Sequence, residues 1–123
     1  MPFIWKEELP DNCPPDDAIS PDGKDLFRLV SSKPPSDNDF DSYKTIYPYK
    51  QFSVSDCQAK SISVLNDLWE IKKIRKLPIH KNKMIVRLQL ERKDGLIKQT
   101  GNINHFSWWV SKYFSLNQCE YIE

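Results

Sequence analysis

Most side chains suited to chemistry or binding lie in the second half of the chain, on two strand-like stretches. They combine cationic, amide, imidazole and indole groups, whereas a face covered only for stability would more simply be aliphatic. Arginine and tryptophan also anchor protein interfaces more often than most residues. We therefore predict a binding surface where the polar faces of these stretches meet. Its residues are Arg87, Lys98, Gln99, His105 and Trp109.

A structural interpretation of such residues stays open. In it Trp109 belongs to the core, because tryptophan is usually largely buried, and His105 hydrogen-bonds a loop carbonyl. Arg28 poses the same choice, since it shares one side of a strand-like segment with Leu26 and Val30. An arginine in that setting usually finds a carboxylate or a chain-end carbonyl, so a structural role is the simpler interpretation and ligand binding is the alternative.

The sequence lacks the local patterns of catalytic and metal sites. Its two histidines have no other ligands at metal-site spacing, its three cysteines form no C-x-x-C pair, and its three glycines make no phosphate-binding loop. A cysteine could meet His105 in space, but no local motif marks a nucleophile. We predict no catalytic residue, no metal and no cofactor. The histidines and cysteines are His80, His105, Cys13, Cys57 and Cys119.

Alternation of apolar and polar residues predicts the central strand, at residues 84–91. The dipeptide Asp94-Gly95 tolerates the positive φ of a tight turn, so residues 96–100 are predicted to return antiparallel as a hairpin. Residues 105–110, HFSWWV, form the next predicted strand, with one tryptophan on each face. Further strands are predicted near residues 25–31, 61–65 and 119–122.

The clearest helix runs from Asp67 to Leu77. Asp67 and Glu70 resemble a capping box, basic residues fill the last turns, and Pro78 ends the helix. We predict a single compact α+β domain, with a mainly antiparallel sheet of five to six short strands and one main helix. A second helix near residues 111–117 is the alternative.

Proline and acidic residues dominate residues 1–23, which we interpret as an arm preceding the domain at residues 24–123. The cluster Phe3-Ile4-Trp5 gains from finding cover, so the arm either folds back onto the domain or docks on a partner. Residues 32–49 are expected to form a long loop that its aromatic side chains hold in place.

Composition narrows the function classes. A chain of 123 residues with a net charge of +1 is long enough for its own core and is not a strongly basic nucleic-acid binder. Acids outnumber bases 11 to 7 through residue 61, and bases outnumber acids 11 to 6 afterwards, an asymmetry that can orient an encounter with a charged partner. The odd cysteine count and the absence of a signal region or membrane-spanning run favour a soluble, cytoplasmic protein with another protein as partner.

The order LFRLV, a DF-containing loop, SISVL, a helix, MIVRLQL, IKQTG and HFSWW resembles a group of small uncharacterised bacterial proteins. The resemblance covers most of the chain after Lys24. It implies a bacterial origin and carries no established activity.

A looser similarity is to ADP-ribosyltransferase-like, NAD-consuming domains. It is carried by Arg28 on the first strand, Ser61 and Ser63 on the second, and the helix that follows. The resemblance implies that the arginine holds the NAD phosphates while the serine strand braces the site. The sequence departs from the pattern at Lys98-Gln99-Thr100, where an E-x-E motif would be expected.

Together these features favour a non-enzymatic interaction or regulatory protein of a bacterial system. An immunity or antitoxin-like partner, or an assembly subunit, fits that description. The alternative is a small ADP-ribosyltransferase-like enzyme that uses NAD.

Overall fold

Short stretches of alternating or β-branched residues build one antiparallel sheet in the computed structural model, which describes residues 3–123. Within them six strands lie in the order β4-β5-β2-β1-β3-β6. One main helix accompanies the sheet, so the predicted α+β class is confirmed. The strands are β1 (Leu26–Val30), β2 (Ile62–Leu65), β3 (Met84–Leu88), β4 (Gly95–Gln99), β5 (His105–Val110) and β6 (Cys119–Tyr121).

The main helix lies where its end signals predict it. It is the third along the chain, after α1 (Tyr43–Ile46) and α2 (Asp56–Ala59), and is labelled α3 (Leu68–Arg75). The Asp67 carboxylate accepts a hydrogen bond of 3.1 Å from the Glu70 N–H and so caps the first turn. The alternative second helix at residues 111–117 is wrong, because only a 3₁₀ turn at Leu116–Gln118 forms there. No helix within residues 3–123 has the length and apolarity to cross a bilayer.

The predicted hairpin between β3 and β4 is wrong. β3 pairs with β1 and β6, whereas β4 pairs with β5 at the opposite edge of the sheet. Between them Arg92–Asp94 forms a 3₁₀ turn, in which the Asp94 carboxylate accepts from the Glu91 N–H at 2.7 Å. Gly95 follows with φ of 122°, and its Cα lies against the Trp109 carbonyl. The chain therefore passes from β3 through this turn to β4 at the opposite edge of the sheet. Both strands lie where the sequence predicted them, but they are not partners.

Each face of the sheet packs its own core. One face supplies the larger cluster, with side chains from β1 through β5, and the fully buried Phe40 packs against Trp108 from outside the sheet. The other face is covered by α3. There Ile71 joins Phe27, Leu65 and Ile85 in a smaller cluster.

The N-terminal segment lies along the sheet. Trp5 forms a β-bridge with Ser111, and Ile19 forms another with Ile97 on the edge strand β4. A disulfide joins Cys13 to Cys57 on α2. Cysteines 44 positions apart meet only once the arm is docked, so their spacing did not indicate the pair.

The region expected to be a loop contains short helices. A 3₁₀ turn forms at Asp37–Phe40, and the hydroxyl of Ser42 accepts from the Thr45 N–H at 3.2 Å to begin α1. The Ser55 hydroxyl caps α2 in the same way. Neither serine cap was predicted from the sequence, because the helices that follow are too short to show a 3.6-residue period.

Candidate functional site

The five residues predicted to form one surface are not all neighbours. Lys98, Gln99, His105 and Trp109 lie on the paired strands β4 and β5, and only Arg87 lies apart from them. Arg87 lies on β3, three strands away from β5 in the sheet, so it is remote from His105 and Trp109. Its guanidinium sits over the Phe27 ring at 5.6 Å. The prediction required β3 and β4 to be neighbours, and the topology separates them.

The remaining polar residues of that surface have local partners. The Lys98 ammonium is 3.1 Å from the Asp17 carboxylate on the docked arm. The Gln99 amide donates to the carbonyls of Gly101 and Asn102 and closes the turn before β5. A binding role for these side chains stays a prediction.

Trp109 is a core residue, with 1% of its surface exposed. Its indole N–H donates to the Cys57 carbonyl at 2.9 Å, which ties β5 to α2 and to the disulfide. A buried indole needs such an acceptor, because an unpaired donor would lose the hydrogen bond it makes with water. Trp109 therefore cannot contact a partner in this conformation.

His105 joins β5 to β2. Its Nδ1 is 2.9 Å from the Thr100 carbonyl oxygen, and its Nε2 is 2.9 Å from the Ser63 hydroxyl. A carbonyl oxygen only accepts, so Nδ1 carries the proton, and in the neutral ring Nε2 accepts from the Ser63 O–H. The imidazole is thereby held in one tautomer and orientation at the mouth of a cleft.

Arg28 opens that cleft. Strands β1 and β2 are paired at Phe27 and Leu65 and diverge beyond this pair. The Arg28 guanidinium spans the gap between them. It donates to the Ser63 carbonyl at 2.7 Å and, through two nitrogens, to the Asp39 carbonyl at 3.0 and 2.8 Å. Three of the five guanidinium N–H groups are thus used by main-chain oxygens, which leaves two.

The cleft lies between α3 and the diverging strands and has a volume of about 210 Å³. Aliphatic side chains from α3 and from the sheet form its apolar part, and polar, mainly basic side chains line the rest. The aliphatic residues are Leu29, Leu65, Ile71 and Ile74. The polar lining is Arg28, Tyr43, Ser63, His80, Lys83 and His105.

Burial and mutual repulsion act on the basic groups of the cleft. Burial lowers the pKa of Arg28 to about 10. Burial and the nearby Arg28 charge lower the pKa of Lys83, and burial and Lys83 lower that of His80. The Nδ1 atom of His80 is buried without a hydrogen-bond partner in the described part of the chain. The cleft is therefore a place where a negative group would be stabilised.

Sequence reasoning missed two residues of this cleft. His80 and Lys83 fall in a basic linker, HKNK, which has the composition of a solvated turn. Their position between α3, which ends before Pro78, and the buried strand β3 was the only sequence signal that both residues would lie against the sheet.

A second surface consists of exposed aromatic and aliphatic side chains on residues 43–54, the aromatic segment. Tyr49 is 98% exposed, and Tyr43 and Tyr47 are each more than half exposed with ring centroids 6.3 Å apart. The lysines of the segment lie over its rings, with the Lys44 and Lys50 ammonium groups 5.9 and 5.7 Å from the Phe52 centroid. This surface lies in the region that the sequence indicated only as an aromatic-rich loop.

No protein family, curated protein or solved structure matches this chain. The cleft and the aromatic segment are therefore the features of the molecule from which a function can be inferred.

Proposed function

We propose that this chain is a non-enzymatic interaction or regulatory protein of a bacterial system. An immunity or antitoxin-like partner and an assembly subunit are the two forms of that role. The observation that supports it is the aromatic segment, which exposes large apolar side chains from a braced backbone.

The brace can be traced through the N-terminal arm. The Glu7 carboxylate accepts from the N–H and hydroxyl of Ser42 and from the Thr45 hydroxyl, at 2.8, 2.7 and 2.6 Å. The disulfide between Cys13 and Cys57 holds the other end of the segment through α2. Side chains presented on a fixed backbone lose little entropy on binding, so exposed tyrosines there are well suited to an interface.

Comparative capture from a lysate of the source bacterium tests the role. The immobilised protein is compared with Tyr47→Ala/Tyr49→Ala and with Ile103→Ala, which removes an apolar side chain 79% exposed on another loop. We expect a saturable partner on the wild type and on Ile103→Ala, reduced about tenfold on the double variant, with unchanged thermal stability. Equal capture by all three proteins would contradict the proposal.

An NAD-using activity is the second candidate, because Arg28 and Ser63 line one cleft with His105. Incubation with NAD and measurement of released nicotinamide tests it, with Ser63→Ala and Lys83→Met as variants that leave the Arg28 bridge intact. Turnover by the wild type that both variants lose would favour the enzyme over the interaction protein.

The cytoplasmic location expected from the sequence stays a proposal, and the disulfide weighs against it. Such bonds persist mainly in oxidising compartments. Alkylation of protein freshly taken from its host decides the matter. Modification of Cys119 alone indicates an oxidising compartment, and modification of all three cysteines supports the cytoplasm.

A further inference from the structure

We propose that the cleft between α3 and the diverging strands β1 and β2 binds a small organic acid, a single carboxylate on a compact apolar body. The inference goes beyond the interaction role, because the cleft shares only Tyr43 with the exposed aromatic segment. Three observations carry it: the aliphatic wall, the size of the cleft, and basic groups at its polar side that have no carboxylate within 4.0 Å among residues 3–123.

The aliphatic wall calls for an apolar ligand body. Leu29 and Leu65 come from the sheet, and Ile71 and Ile74 come from the facing side of α3. Water between such walls gains few hydrogen bonds, so an apolar group that displaces it is favoured.

The size of the cleft limits that body. A volume of about 210 Å³ corresponds to roughly seven waters at liquid density. Pockets for drug-sized ligands begin at about 300 Å³. A single ring or a short branched chain fits this space, whereas only part of a dinucleotide would be enclosed by it.

The basic side of the cleft calls for an anion. Among residues 3–123 no carboxylate forms an ion pair within 4.0 Å of the Lys83 ammonium. The charge of Arg28 opposes that of Lys83, and the more distant Asp39 carboxylate offsets only part of this repulsion. Arg28 keeps two N–H groups after its main-chain hydrogen bonds. A carboxylate beside both groups would compensate their charge and accept from them, and it could also accept from the buried His80 Nδ1.

A carboxylate suits the site better than a phosphate. After its main-chain hydrogen bonds Arg28 has two N–H groups left, which match the two oxygens of a carboxylate but leave further oxygens of a phosphate to be satisfied elsewhere. A carboxylate needs fewer donors and is less costly to bring beside an aliphatic wall. Inorganic phosphate and acetate therefore serve as anions that lack the apolar body.

Calorimetric titration of the full chain tests the proposal. The probes are benzoate and 3-methylbutanoate, their neutral amides, acetate and inorganic phosphate. We expect saturable binding of one or both apolar acids, and at least about tenfold weaker binding of the amides, acetate and phosphate. Equal binding of acids and amides, equal binding of acetate or phosphate, or no binding of either apolar acid would overturn it.

Variants locate the binding. Lys83→Met removes the charge and keeps the stem, and Lys81→Met removes an exposed charge two residues away. Affinity should fall about tenfold for the first and stay unchanged for the second. Ile74→Phe fills the aliphatic part of the cleft, changes no charged side chain, and should abolish binding. It guards against a Lys83 variant that fails to fold. Wild-type affinity in folded Lys83→Met or Ile74→Phe protein would show that the acid binds elsewhere.

Discussion

The Arg28 guanidinium donates to the Ser63 carbonyl at 2.7 Å across the gap between β1 and β2. It thereby takes the place of a ladder hydrogen bond, so the strands diverge without leaving that oxygen unpaired. The same side chain holds the Asp39 carbonyl and stacks against Phe40, with Cζ 5.6 Å from the ring centroid. One arginine therefore both shapes the cleft and attaches the 3₁₀ turn at Asp37–Phe40 to the sheet.

Replacement of Arg28 by Met should lower the free energy of unfolding by about 2 to 3 kcal/mol. The variant keeps most of the stem and removes charged donors from two main-chain carbonyls, each worth about 1 to 3 kcal/mol when left unsatisfied. Urea denaturation measures the change. Arg92→Met is the matched control, because the Arg92 side chain is 85% exposed and should change stability by less than about 0.5 kcal/mol. Equal losses in the two variants would show that the bridge contributes nothing.

Gly95→Ala should be far more damaging than Gly23→Ala, although both glycines have positive φ. A Cβ on Gly95 would lie 2.0 Å from the Trp109 carbonyl oxygen, whereas one on Gly23 meets open space. We expect Gly23→Ala to cost about 1 kcal/mol from backbone strain and Gly95→Ala to disrupt the pairing of β4 with β5. Circular dichroism melts of both proteins check this. Similar melting temperatures would mean that β4 shifts to accept the methyl group.

The sequence predicted the elements of this fold but not how they meet. All six strands and the main helix follow from period-two alternation, an Asp67 cap and a proline stop, which are local signals. Pairing is not local: the turn dipeptide Asp94-Gly95 lies between β3 and β4, but Asp94 closes a 3₁₀ turn instead of a hairpin. Any site argued from the assumed neighbours, here Arg87 with Lys98 and His105, was therefore misplaced.

The cleft was less predictable than the fold. Arg28 and His105 could be named as polar residues on apolar strands, but the gap that unites them arises from strand divergence. His80 and Lys83 reach the cleft because α3 packs on the sheet and the chain continues from its end. No periodic pattern in the sequence predicts that packing. The sequence left both a core and a pocket open for Trp109, and its 1% exposure, with the indole N–H bonded to the Cys57 carbonyl, shows that it belongs to the core.

Loss of the Cys13–Cys57 disulfide should release the arm and lower stability by about 4 kcal/mol. The estimate comes from the loop-closure entropy for a sequence separation of 44 residues. Denaturation of the wild type with and without dithiothreitol measures it. Cys13→Ser/Cys57→Ser should match the reduced wild type and ignore the reductant, and Cys119→Ser should behave like the wild type. A reductant effect that persists in the double variant would contradict this assignment.

The Asp39 carboxylate should make stability pH-dependent in the acid range. Burial alone would raise its pKa, but hydrogen bonds from the Ser32 hydroxyl and from the N–H groups of Ser36 and Ser31 outweigh that effect and lower it below 3.8. A lowered folded-state pKa contributes stability that is fully present above the unfolded value and is lost as the pH falls through the folded one.

Thermal melts from about pH 6 to about pH 2.5 check this through the difference between the wild type and Asp39→Asn, because other carboxylates titrate in both proteins. The wild type should melt higher by a constant margin above about pH 5. That margin should shrink below about pH 4, as protons neutralise Asp39 and weaken its hydrogen bonds to Ser31 and Ser36. Asp37→Asn, at an exposed position on the same turn, should track the wild type throughout. A margin that stays constant or widens on acidification would show that ionised Asp39 does not hold this turn.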